Sequence, residues 1–265
     1  MNTPILDVRG LCLGSKQNPG SPLVSDITFS LSAGATLGIV GESGSGKSLT
    51  LRALIGALPR GIDIAAGDIK IRGSHTIKNG RVLKKSGSHE IGMVFQNPMN
   101  ALDPLMRTGS LLAEIHRVNT GDTKSASKEK ALELINMVGI SDASRAFEFY
   151  PHQLSGGQRQ RIILAAALAK KPGILLCDEP TTALDTFTQT QIVQLIKSLC
   201  RERNIAVIFV SHDLSVVSQL CEHICVMKDG ELIERGQTKS VLNNPQRHYT
   251  RKLIDSQRLL EGDSW

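Results

Sequence analysis

Gly41-Glu42-Ser43-Gly44-Ser45-Gly46-Lys47-Ser48 is the stretch on which the reading of this chain turns. It fits G-x-x-x-x-G-K-[ST] at every position. The apolar run Thr36-Leu37-Gly38-Ile39-Val40 precedes it and reads as a short buried strand. A helical pattern over 47–57 follows and stops before Pro59. Strand, glycine-rich loop and helix in that order make a phosphate cradle. Glycines let backbone N–H groups turn inward, and the helix N-terminus adds partial positive charge. Lys47 brings a full charge to β and γ phosphates, and the Ser48 hydroxyl is a ligand for Mg²⁺. The dinucleotide pattern G-x-G-x-x-G is absent from this loop.

Ile174-Leu175-Leu176-Cys177 reads as a second buried strand, ending in Asp178 and Glu179. Ligands of parallel sheets bind at such C-terminal tips. Successive strand residues face opposite sides, so the two carboxylates take different tasks: one serves Mg²⁺, the other polarises a water. A helix over 188–203 and a strand over 205–210 follow, and strand–helix–strand argues a parallel sheet. The N-terminal part reads as strands, with Ile5-Leu6-Asp7-Val8 alternating and Val24, Ile27, Phe29 and Leu31 at strand spacing. Ile69 and Ile71 suggest a further strand, followed by a basic, loosely held loop to Ser88; 91–95 reads as another strand. Over 108–144 the apolar period becomes helical, through Leu111, Leu112 and Ile115, then Ala131, Leu134, Ile135 and Val138. Ser155 is a plausible N-cap for the next helix. Val226 to Glu234 reads as a hairpin turning at Asp229-Gly230. The expected fold class is α/β: a phosphate-loop NTPase core with a mainly parallel sheet, an N-terminal antiparallel β subdomain, and a helical subdomain at about 97–165. We expect one nucleotide-binding domain over 1–265.

At 265 residues the chain holds between one and two domains of about 150 residues each. Its net charge of +6 suits anion handling but is too diffuse to argue for nucleic acid. The longest apolar run, Ile162 to Ala169, is far shorter than the roughly 18 residues of a membrane span. Asp7 and Arg9 interrupt the N-terminus early, so no secretory signal is expected. Cys12, Cys177, Cys200, Cys221 and Cys225 form no C-x-x-C pair and suggest free thiols. Cys221 and Cys225 lie four apart, a spacing that shares one face of a helix, but two ligands make no zinc site.

Leu154-Ser155-Gly156-Gly157-Gln158, shortly before the acidic strand, resembles the signature of ATP-binding-cassette (ABC) ATPases. Gln96 resembles the Q-loop glutamine of that family, Thr182-Ala183-Leu184-Asp185 its D-loop and His212 its switch histidine. The resemblance implies catalytic roles for Glu179, His212 and Lys47. It implies ATP binding through Gly41, Glu42, Ser43, Gly44, Ser45, Gly46, Lys47, Ser48, Leu49, Gln96 and Asp178. Ser48, Gln96 and Asp178 would hold Mg²⁺. Ser155, Gly156, Gly157, Gln158 and Asp185 would act in trans, on ATP held by a partner chain. One departure stands out: Leu11-Cys12-Leu13-Gly14-Ser15 lacks the aromatic residue that the family stacks on adenine.

Two stretches resemble the importers of dipeptides, oligopeptides and nickel: Gln96-Asn97-Pro98-Met99-Asn100-Ala101-Leu102-Asp103-Pro104-Leu105 and Asn244-Pro245-Gln246-Arg247-His248-Tyr249-Thr250-Arg251-Lys252-Leu253. The chain stops at Trp265 without the cysteine-bearing extension of many peptide members, and its stretch from Lys47-Ser48-Leu49-Thr50 through Leu58-Pro59-Arg60-Gly61 to Ala66-Gly67-Asp68-Ile69 resembles the shorter nickel-type subunit. The resemblance implies a second ATPase subunit (copy or paralogue), two permeases and an extracytoplasmic binding protein as partners. It implies no nucleic acid, and a peripheral place on the cytoplasmic face of the inner membrane. The cargo would be nickel, a metal chelate or short peptides. The alternative is an ABC-type ATPase of DNA repair or chromosome maintenance. Such proteins carry coiled coils or C-x-x-C pairs before the signature, and the interval 50–153 holds neither a cysteine nor a sustained heptad.

Overall fold

The structure, a computed structural model, describes residues 3–16, 18–83, 90–96, 101–182 and 184–261. Residues 84–88, 97–100, Ala183 and Trp265, on which parts of the sequence reading fall, lie outside them. The chain divides into two compact units, residues 1–88 with 203–265, and residues 89–202.

The first unit holds an antiparallel sheet in the order β2-β1-β4-β5-β6. Its strands are β1 (Leu6–Ser15), β2 (Asn18–Leu31), β4 (Ile62–Ile71), β5 (Ser74–Lys78) and β6 (Arg81–Val82). β1 outruns its sequence signal. Leu6 and Val8 are buried, then Leu11 and Leu13. The register slips between Val8 and Leu11, so strict alternation breaks while the strand continues. The same slip affects β2, where Asp26 sits at φ 50 between Val24 and Ile27. The described part of the basic segment after Gly67, as far as Leu83, also holds more strand than its composition suggests. β4 begins at Ile62, and β5 and β6 extend the sheet from it.

The same unit carries β3 (Thr36–Val40), parallel to β9 (Ala206–Val210) on one side and to β10 (His223–Lys228) on the other. β9 is buried along its whole length, as a strand covered on both faces must be. β11 (Glu231–Gln237) pairs antiparallel with β10. Their turn is Asp229-Gly230, at φ 47 and 83, the two positive values a type I′ hairpin needs. α1 (Lys47–Leu54) ends sooner than the sequence pattern. Gly56 takes φ 67, and Ala57 N–H returns to the Arg52 carbonyl while Gly56 N–H returns to that of Ala53. This Schellman closure, rather than Pro59, stops the helix.

In the second unit β7 (Ile91–Val94) runs parallel to β8 (Ile174–Asp178), pairing Ile91 with Ile174 and Val94 with Cys177. Its helices are α2 (Thr108–Thr120), α3 (Lys124–Met137), α4 (Ala143–Glu148), α5 (Gly156–Leu168) and α6 (Thr186–Arg203). Ala131, Leu134, Ile135 and Val138 are buried as the period predicts. In α2 Leu112 is buried, but Leu111 and Ile115 are only half-buried, and the fourth inward position is His116. Its Nε2 lies 2.9 Å from an Asp122 carboxylate oxygen.

The first unit also contains α7 (Leu214–Leu220), α8 (Thr238–Asn243) and α9 (His248–Glu261). The helical spacing of Cys221 and Cys225 does not materialise: Cys221 caps the C-terminus of α7, and Cys225 lies inside β10. None of the five cysteines is joined in a disulfide. Burial pushes the Cys200 and Cys225 thiols up to about 12, which keeps them protonated and inert near neutral pH. Among the described residues no helix is long and apolar enough to cross a membrane.

Candidate ATP site

β3 delivers the chain to Gly41, and the glycine is obligatory there. It sits at φ 148, and a Cβ would fall 2.1 Å from the Met227 carbonyl oxygen at the end of β10. The loop then leans on the hairpin, with Gly230 N–H donating to the Ser45 carbonyl at 3.2 Å. Lys47, 5% exposed, folds back under the loop. Its Nζ donates to the carbonyls of Gly41 and Glu42, both at 2.8 Å. Gly46, in the left-handed conformation, begins α1 without any side-chain cap, and the first turn has no acidic residue. A helix N-terminus presented in this way fits an anion.

The second unit assembles the acidic pair. Asp178 ends β8 and is 2% exposed, whereas Glu179 is half-buried and takes φ 46, left-handed for a non-glycine residue. The sequence reading divides the two carboxylates by strand alternation, but β8 ends at Asp178 and Glu179 follows it in the left-handed turn. Glu179 Oε2 accepts from Gln96 Nε2 at 2.9 Å and from Thr182 Oγ1 at 3.1 Å. Gln96 therefore meets Glu179 through its amide nitrogen, which leaves its amide oxygen as the atom suited to a cation. The Ser48 hydroxyl, the Asp178 carboxylate and the Gln96 amide oxygen are all hard oxygen donors, the chemistry Mg²⁺ prefers.

The signature residues open α5 through a capping box. Gln158 N–H donates to Ser155 Oγ at 3.2 Å, and Ser155 N–H to Gln158 Oε1 at 3.0 Å. A hydroxyl that accepts one bond still has a proton to donate. Gly157 and Asp185, 28 positions apart by number, are brought together through Thr188. A Cβ on Gly157 would lie 2.6 Å from Thr188 Cγ2. Thr188 donates to Asp185 from both N–H, at 2.9 Å, and Oγ1, at 2.7 Å. Those two bonds, backbone first, hold the Asp185 carboxyl below its usual range.

His212 lies exposed in the turn from β9 to α7. Asp213 N-caps α7 by accepting from the N–H groups of Ser215 and Val216. Two residues that the motifs did not single out for the site also meet these loops. Glu42 N–H donates to the Tyr249 hydroxyl oxygen at 3.1 Å, across 207 positions of sequence. The Gln257 side chain accepts from Leu214 N–H at 2.8 Å and donates to the His212 carbonyl. No local spacing marks either contact. Thr182 was legible only as part of a resemblance, not as a partner of Glu179. Along β1, Leu11 and Leu13 are buried, and the strand supplies no ring where a base would stack.

The family model described as ABC transporter matches residues 24–182. The dipeptide transport ATP-binding protein DppD of Lactococcus lactis subsp. cremoris is 40% identical over 255 residues, 95% of this chain and 73% of that protein. The metal-staphylopine import system ATP-binding protein CntD of Staphylococcus aureus is 38% identical over 238 residues, 89% of this chain and 88% of that protein. Among solved structures, a dimeric ATP-binding cassette, MJ0796, in a post-hydrolysis state bound to ADP and Pi is similar with a TM-score of 0.74 at 30% identity. It covers 88% of this chain and 98% of that one. The phosphate loop, the acidic strand and the signature helix thus fall within a match over most of the chain, and the protein belongs to the ABC transporter family.

Proposed function

We propose that this chain is the ATP-hydrolysing subunit of an importer, working as one nucleotide-binding cassette over 1–265. The observation that carries the reading is the setting of Glu179. Its carboxylate is half-buried, is oriented by Gln96 and Thr182, and directly follows the buried Asp178. A carboxylate held at two points is placed to orient a water and accept its proton. Hydrolysis is phosphoryl transfer to water, in which the protein supplies mainly position and charge. Lys47 and the N–H groups of the loop bind the β and γ phosphates. Ser48, Asp178 and Gln96 would hold Mg²⁺, which neutralises phosphate charge when bound. His212 contacts the γ phosphate from the turn before α7. Ser155, Gly156, Gly157, Gln158 and Asp185 act on ATP held by a second cassette. The dimeric form of the similar solved cassette supports that arrangement.

Import is the direction that the named relatives support, one for dipeptides and one for metal-staphylopine. We assign the cargo to short peptides or a metal chelate, nickel included. Permeases anchor the chain on the cytoplasmic face of the membrane, and an extracytoplasmic protein delivers the cargo. The test is to purify the tagged chain from membranes and to compare uptake of a labelled dipeptide and of nickel(II), with and without the chain. Multi-spanning permeases should co-purify, and one of the two uptakes should fall to background. Unchanged uptake of both, with DNA-bound proteins co-purifying instead, would return the chromosome-maintenance reading.

A further inference from the structure

The last described helix, α9, touches both loops of the first unit that the ATPase reading uses. Tyr249, Leu253 and Gln257 stand at i, i+4 and i+8, so they form one stripe along the helix, and all three are half-buried. Thr250 and Ile254, each 2% exposed, lie beside that stripe and anchor the helix. At 1.5 Å per residue, Tyr249 and Gln257 are about 12 Å apart along the axis. At one end the Tyr249 hydroxyl receives Glu42 N–H. Lys228 Nζ sits 5.2 Å from the centre of the Tyr249 ring and pins it. Burial, helped by the Glu42 and Asp229 carboxylates, pushes the phenol above its usual value, so it stays neutral.

At the other end Gln257 completes a cap. An α-helix begins with N–H groups that lack helical partners. In α7 the Asp213 carboxylate takes those of Ser215 and Val216, and Gln257 takes that of Leu214. The same amide donates to the His212 carbonyl, while Asp213 N–H donates to Ser211 Oγ at 3.0 Å. The backbone on both sides of the exposed imidazole is therefore tied down, one tie coming from α9.

We propose that α9 is a brace of fixed length, in which Gln257 is a positioning residue for His212 and Tyr249 one for the phosphate loop. This rests on the reading that His212 acts in ATP hydrolysis. A contact to the γ phosphate is worth most when its donor is already in place, and a misplacement of about 1 Å can cost up to about 10²-fold. Gln257→Met keeps the volume and removes both hydrogen bonds.

The experiment measures steady-state ATP hydrolysis and ATP binding by the full chain carrying Gln257→Met, His212→Ala, both changes, or Tyr249→Phe. Gln257→Met should lower kcat by about tenfold and leave KM and ATP binding within about twofold, the signature of lost transition-state contact. In the His212→Ala background the same change should have no further effect, because the residue it positions is gone. Tyr249→Phe should raise KM by about threefold with kcat unchanged. Intact ATP binding by Gln257→Met serves as the check on folding. Wild-type kcat in Gln257→Met, or a full tenfold loss persisting in the double variant, would overturn the brace. Wild-type turnover by His212→Ala would instead overturn the role given to His212, and the brace with it.

Discussion

Glu179→Gln is expected to lower ATP hydrolysis by about 10²–10⁴-fold while ATP binding survives, the range that general-base catalysis contributes. Glutamine keeps the shape of the side chain, and its amide oxygen can still accept from Gln96 Nε2 and Thr182 Oγ1, the two partners of the native carboxylate. What disappears is the charge proposed to accept the proton of water. The proposed phosphate and Mg²⁺ ligands, Lys47, Ser48 and Asp178, are untouched. Single-turnover hydrolysis and equilibrium binding of a fluorescent ATP analogue separate the two effects. The variant should also accumulate as an ATP-bound dimer, seen as a doubling of mass in light scattering when ATP is added. Asp178→Asn should differ by weakening Mg²⁺-dependent binding along with turnover. Hydrolysis by Glu179→Gln near the native rate would remove Glu179 as the base.

Lys47→Ala should abolish turnover at a different step, by weakening ATP binding itself. Lys47 is the charged side chain that the loop folds around, with Nζ on two carbonyls of that loop. Removing one charge-stabilising donor from a transferring group costs roughly 10²–10³-fold in rate. The substitution also leaves the buried Gly41 carbonyl without this donor, a penalty of about 1–3 kcal/mol for a buried group left unsatisfied. Thermal unfolding of the nucleotide-free variant therefore belongs beside the kinetics. A modest fall in Tm with ATP binding lost fits the account. Native turnover would refute the phosphate-loop assignment.

Much of this was legible in the sequence because the signals are local. Gly41 to Ser48 is contiguous, and its glycines are dictated by backbone geometry that the structure bears out at Gly41. Ser155 is readable as an N-cap from its residue type ahead of the helical pattern, and the structure adds the reciprocal Gln158 bond of a capping box. Val24, Ile27, Phe29 and Leu31 mark a strand, but their uneven spacing hides a positive-φ residue at Asp26. Register slips likewise concealed the far half of β1, because period 2 fails at each slip although pairing continues. Cys221 and Cys225 misled for the opposite reason, since their helical spacing straddles a helix end and a strand. Tyr249 and Gln257 belong to a third kind. Their partners are backbone groups 207 and 43 positions away, and backbone groups leave no trace in composition or motif.

The proposed composite site pairs the phosphate loop of one cassette with the signature of another. Lys47→Ala disables the first half and Ser155→Arg the second, so either variant alone should be inactive as a homodimer. A mixed dimer places both lesions at one site and leaves the other intact. Phosphate release should therefore recover when the two inactive chains are mixed, reaching a maximum near equal amounts. Turnover that stays at background at every ratio, with mixed dimers demonstrated by native mass spectrometry, would contradict it.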